Sequence, residues 1–235
     1  MTAMAHLKFL LLLLWVGNAV LDLHKRIFNG YDCEGTKHLY HVKITATNGT
    51  HGSRCGGSLI HSEWVLTAAH CWNDQPGLIM SAYVGIHPGP GSRVTIRDHQ
   101  IFKDHDIMLL KISLASIRTY LVQLPDLAFV LFLFSLVPHE PPHLQCAKMR
   151  VVNCELNLIP CDSPFLWPNG NTMCHEQAGV DTCPGDSGGG VLFNNMIYGV
   201  HVGGGKCVCS SSAVSLKVCS YIGWINNFIT PNNGK

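Results

Sequence analysis

Charge is scarce in this chain. Only 13% of its 235 residues are charged and the formal net charge is +1, so no broad basic face is available for nucleic acid. Long apolar runs are missing as well. Phe9–Val16 and Leu127–Val137 both fall short of the roughly 20 residues a helix needs to cross a bilayer, so no stable membrane anchor is expected. Internal repeats and coiled-coil heptads are absent. Histidine is plentiful at 14 residues, but the residues are scattered rather than set at metal-ligand spacing. Most therefore read as surface or loop residues. No resident metal or cofactor is expected, and a weak inhibitory metal contact is the one metal role left open.

What is present points outward from the cell. Eleven cysteines in one chain fit disulfides in an oxidising compartment better than cytosolic thiols. Lys8 precedes the apolar run Phe9-Leu10-Leu11-Leu12-Leu13-Leu14-Trp15-Val16, and Gly17-Asn18-Ala19 supplies small residues for cleavage after Ala19. Residues 1–19 thus read as a signal peptide and the protein as secreted. Asn48-Gly49-Thr50 is a glycosylation sequon on Asn48.

Short β-rich runs follow, broken by Gly, Asn and Ser. They include His41–Thr45, Gly57–Ile60, Trp64–Thr67 and Ile107–Ile112. Helix-like spacing of apolar residues is confined to Tyr221–Phe228 and Ile229 near the end. The chain is long enough to bury one large β domain or two small ones.

The chemistry gathers around Asp181-Thr182-Cys183-Pro184-Gly185-Asp186-Ser187-Gly188-Gly189. Serine is a poor nucleophile until a base and an oxyanion site surround it. Glycines allow a tight turn in which the N–H groups of Gly185 and Ser187 point together at one developing charge. Alone, the stretch reads equally well as a glycine-rich turn with an incidental serine. Two distant segments change that balance. Thr67-Ala68-Ala69-His70-Cys71 supplies a histidine, and Asp106-Ile107-Met108-Leu109-Leu110-Lys111 an aspartate at the head of an apolar strand, with Asp104 a nearby rival. The order His, Asp, Ser in these contexts resembles the chymotrypsin/trypsin-like serine proteases.

The resemblance implies an all-β fold: two antiparallel β-barrels closed by a C-terminal helix. It implies a triad of Ser187 as nucleophile, His70 as base and Asp106 as orienter, with Gly185 and Ser187 as oxyanion donors. Residues 20–26 would be an activation propeptide and 27–235 the protease domain. Cutting after Arg26 would free the Ile27 amine to pair with Asp186; otherwise Lys25-Arg26 is a dibasic linker cut for other reasons. Asp181 would lie at the base of the specificity pocket and select Arg or Lys, unless it is a solvated loop residue. Gly204 would keep the pocket wall open. The implied disulfides are Cys33–Cys146, Cys55–Cys71, Cys154–Cys174 and Cys183–Cys207, leaving Cys161, Cys209 and Cys219 over. Protein or peptide substrates and protein protease inhibitors are the implied partners of a monomer, and no metal or cofactor is implied.

The pattern also departs from that family. Val202 and Gly203 stand where serine and tryptophan are expected, and Ala213 where a second pocket glycine usually lies. The loop between His70 and Asp106 is trimmed, and calcium-loop acids are absent around Gly85–Gly91. Residues 127–143 replace the usual central segment with an apolar and then Pro-rich run. That run reads as a buried strand or, if exposed, an aggregation hazard. Three readings remain: a secreted Arg/Lys-directed serine endopeptidase made as a zymogen, a catalytically impaired homologue acting as a binding or regulatory protein, and a product that does not fold.

Overall fold

The computed structural model describes residues 27–113, 121–124, 131–135, 143–154, 169–204 and 212–230. Residues 1–26, expected to hold a signal peptide and a propeptide ending at Arg26, lie outside the described residues, as do Cys161, Cys207 and Cys209 and most of 127–143.

The N-terminal half forms one barrel. After a short β1 (Tyr31–Asp32) come β2 (His41–Thr47), β3 (Gly52–His61), β4 (Trp64–Thr67), β5 (Ile79–Val84), β6 (Ser92–Ile101) and β7 (Met108–Ser113). The last six close on themselves in the order β2-β3-β4-β7-β6-β5, every pairing antiparallel. Alternation explains β2: Val42, Ile44 and Ala46 are buried while Lys43 and Thr45 are half-buried. In β4 all four residues are buried, and Val65, Leu66, Leu109, Leu110 and Ile112 fill the barrel.

The second half is a seven-stranded sheet. Its remaining strands are β8 (Leu131–Ser135), β9 (Gln145–Val152), β10 (Thr172–Glu176), β11 (Gly190–Phe193), β12 (Met196–Gly203) and β13 (Ala213–Lys217). The path runs β1-β9-β10-β13-β12-β11, with β8 paired to β9. The β8 backbone comes close to β11 without ladder hydrogen bonds between them, so the sheet curls into a half-barrel. The expected pair of barrels therefore stands as one closed barrel and one half-barrel. Part of the apolar central run serves as β8, in register Leu131↔Met149 through Ser135↔Gln145.

A single helix, α1 (Ile222–Ile229), ends the described chain. Ile225 is its buried anchor, and Phe228 meets Trp64 of the first barrel edge-on at 5.5 Å. The crossover segment joins the halves through its backbone: Val122 N donates to Leu59 O at 3.0 Å and Ile197 N to Gln123 O at 2.9 Å.

Candidate active site

His70 lies in a single 3-10 turn, Ala69–Cys71, that follows β4 directly. Two constraints fix this turn. Cys71 is bonded to Cys55 on β3, with the Cα atoms 5.9 Å apart, and Asp106 grips the histidine twice. The His70 backbone N–H donates to Asp106 Oδ1 at 2.9 Å, and Nδ1 lies 2.7 Å from Oδ2. The Asp106 side chain is 1% exposed and that of His70 32%. A buried carboxylate that receives both donors from one residue sets the imidazole's tautomer and leaves Nε2 for a substrate-side task. Asp104 is exposed, at φ +61° in the turn before Asp106, so the structure favours Asp106 over its rival.

The serine loop docks on the same strand pair. Gly56 N donates to Ser187 O at 2.8 Å. Gly188, at φ +78°, presses against Thr67 Oγ1, Gly56 O and Ala68 N so closely that any Cβ would collide. Thr67 Oγ1 in turn donates to Gly56 O at 2.8 Å. Gly188 is thus the contact that seats the Ser187 loop against the segment leading to His70. Thr67, inside the Thr-Ala-Ala-His-Cys segment, is a site residue that sequence reasoning passed over.

The loop's N–H groups divide into two sets. Asp186 N donates to Cys183 O, Gly188 N to His201 O and Gly189 N to Asp186 O, at 3.1, 2.7 and 3.0 Å. Among the described residues, the N–H groups of Gly185 and Ser187 enter no backbone hydrogen bond. Gly185 sits at φ +103°, a conformation that demands glycine. Gly185 and Ser187 flank Asp186, which is fully buried.

Asp181 is 2% exposed, and its Oδ1 accepts from Thr182 N at 2.7 Å. It is not a solvated loop residue. A Cβ on Gly204 would meet Thr182 Oγ1 at 3.1 Å and Ala213 Cα at 3.8 Å, so Gly204 lies beside Ala213 and the residue that follows Asp181. Phe28 N donates to Asp181 O at 2.8 Å and Asp181 N to Phe28 O at 3.3 Å. Through this bridge the Ile27 segment docks on Asp181, with Ile27 itself fully buried in one core cluster with Ala147, Met149 and Ala213. The Phe28 bridge had no local signal in the sequence.

Cys33–Cys146, Cys55–Cys71 and Cys154–Cys174 are formed, as the resemblance implied. Cys207, the implied partner of Cys183, lies outside the described residues. Cys219 is exposed and in no disulfide. The one tight His/Cys/Asp/Glu grouping among the described residues is Cys55, His70 and Cys71, whose sulfurs are bonded to each other rather than available as thiolates. Asn48 is exposed in the β2–β3 turn, its Oδ1 accepting from Thr50 N at 3.0 Å and His51 N at 2.8 Å.

Behind the pocket lie two histidines that sequence reasoning did not single out. His175 on β10 faces Ala213, and His201 on β12 faces Ser215. Their ring centroids are 6.1 Å apart. Burial, with the nearby His70 adding to it, pushes His201 down to about 3 against a hydrogen bond to the Val214 backbone. Burial and His201 push His175 well below the usual histidine range.

With this geometry in place, the family model described as Trypsin matches residues 27–129 and 135–225. The chain belongs to the trypsin family. The break in the match falls within the apolar central run, of which Leu131–Ser135 forms β8. Chicken trypsin I-P1 is 30% identical over 257 residues, covering 96% of this chain and all of that protein. Pig trypsin is 30% identical over 236 residues, covering 90% and 99%. A thrombin-like enzyme, cerastocytin from Cerastes cerastes, is 30% identical with 88% of each chain covered. At the family level this is a serine endopeptidase fold held by disulfides.

Proposed function

We propose that this trypsin-family chain is a secreted serine endopeptidase, made as a zymogen, that cleaves after Arg or Lys. The observation that carries the reading is the grip of buried Asp106 on both Nδ1 and N of His70, beside a serine loop with two unspent N–H donors. In the proposed reaction Ser187 Oγ attacks the peptide carbonyl carbon while His70 Nε2 takes its proton. The C=O π pair moves onto oxygen, where the Gly185 and Ser187 N–H groups stabilise it. Collapse expels the amine, which His70 protonates, and water repeats the sequence on the acyl-serine. Asp181 supplies a buried carboxylate for the guanidinium or ammonium of the residue before the cut. Cleavage after Arg26 gives the Ile27 amine, whose partner would be Asp186, and the two residues are both 0% exposed. Asn48 would carry a glycan, and protein substrates and protein inhibitors are the expected partners of a secreted monomer.

A catalytically impaired homologue is the second reading. Ser187 Oγ makes no hydrogen bond to His70 among the described residues, and Val202, Gly203 and Ala213 alter the pocket wall. Peptide profiling separates specificity from competence. The mature protein should turn over substrates ending in Arg or Lys and lose that preference on Asp181→Ser, by roughly 100-fold or more for a desolvated ion pair. Equal turnover of Phe- or Ala-ending peptides would remove the Arg/Lys assignment while leaving a peptidase.

A further inference from the structure

Asp106 depends on something beyond His70 for its position. Both of its hydrogen bonds among the described residues come from His70, the group it is meant to orient. Val202 and Gly203, in β12, bring no hydroxyl or ring toward it from that strand. What fixes Asp106 is therefore the backbone of its own turn. That turn is short: Phe102 N donates to Ile107 O at 3.1 Å and His105 N to Phe102 O at 3.0 Å.

His105, the residue just before Asp106, reaches across to the other half of the molecule. Its Nδ1 lies 2.8 Å from the Tyr221 hydroxyl, and Tyr221 is 1% exposed at the entrance to α1. Phe102 packs edge-on against His105, Tyr221 and Trp224, with centroids 4.9, 5.3 and 5.5 Å apart. Burial, opposed by the Asn171 side chain and reinforced by the Asp106 carboxylate, pushes Tyr221 up to about 12, so the phenol stays a neutral donor and feels the catalytic carboxylate.

We propose that the His105–Tyr221 hydrogen bond is a latch between the two halves that positions Asp106, making His105 and Tyr221 positioning residues for the triad. The inference rests on the peptidase reading above. The Cys55–Cys71 bond and the His70 grip lie in the first barrel, while the 183–189 loop is held both by β12, through Gly188 N to His201 O, and by the first barrel, through Gly56 N to Ser187 O. A latch from the aspartate turn to the start of α1 holds those parts in register, and a shift on the order of 1 Å at such a site costs about 100-fold in rate.

The test uses the full mature protein with Tyr221→Phe, which keeps the ring on Phe102 and removes only the hydroxyl. Turnover per titrated active site should fall at least about tenfold with KM nearly unchanged. NMR titration should show the His70 imidazole becoming easier to deprotonate. His105→Phe should do the same, the double variant should be no worse than either single one, and His105→Asn, which retains a side-chain acceptor for the phenol, should recover most of the rate. A lower melting temperature with unchanged turnover and an unchanged His70 titration would overturn the latch, as would fully additive losses. The titration needs no turnover. A wild-type protein that shows the His70 shift on Tyr221→Phe but no peptidase activity would keep the latch and sink the peptidase reading.

Discussion

At Gly188 a missing side chain does the work of a catalytic residue. A methyl there would run into Thr67 Oγ1 and Gly56 O, on a backbone already at φ +78°. Gly188→Ala must therefore push the serine loop away from the His70 strand. The expected cost is about 1–3 kcal/mol in a denaturant titration, with loss of any Ser187 reactivity even where the protein stays folded. The pairing of Asp106 with His70 was legible from its neighbours, because short motifs carry both residues, and the buried Asp181 lies in a motif of the same kind. Gly185 and Gly188 were legible for the same reason: a turn of this shape admits only glycine. Thr67, Phe28, His105 and Tyr221 were not, because their roles arise from contacts between segments far apart in the chain. The distance from His105 to Tyr221 is 116 residues, and no local pattern reports such a pairing.

Strands and their staples decide where the motifs end up. The runs read as strands in the first half emerge as β2, β3, β4 and β7 with only their ends moved, since alternation and β-branched residues report a half-buried strand directly. The central run was harder. Its apolar residues do not alternate, so periodicity alone could not say whether it paired, and only the register against β9 settles Leu131–Ser135 as a strand. Among the staples, Cys55–Cys71 closes a loop of 16 residues that contains His70's own turn. Replacing both cysteines by serine should cost about 3 kcal/mol by loop-closure entropy. Because Asp106 still grips His70, the folded fraction should retain the histidine's orientation. Comparing the denaturation midpoint with activity per titrated site separates these effects.

Across the whole molecule the buried histidines set the response to acid. His201 is pushed down to about 3 and His175 well below its ordinary value, both chiefly by burial. In the unfolded chain both would titrate near 6.5. Below that pH the unfolded state binds more protons than the folded one, so stability falls as pH falls from about 6.5 toward 3 and is flat above it. His38, lowered to about 4 chiefly by burial, acts in the same direction from the connection between β1 and β2. Melting temperatures measured from pH 8 to 4 should therefore drop steeply below 6.5, and a His175→Ala/His201→Val variant should show a shallower drop. A wild-type curve flat to pH 4 would contradict the burial of the pair. The same rings sit behind Ala213 and the strand that accepts from Gly188 N, so acid should loosen the pocket before the first barrel.

The most direct test of the account is covalent labelling of Ser187. The expressed protein is cut after Arg26, the new Ile27 terminus is confirmed by mass, and a fluorophosphonate is added alongside a Ser187→Ala control. One label per folded molecule is expected, absent from the variant. A folded, correctly processed protein that takes no label would contradict it, and the binding or regulatory reading of this trypsin-family chain would take its place.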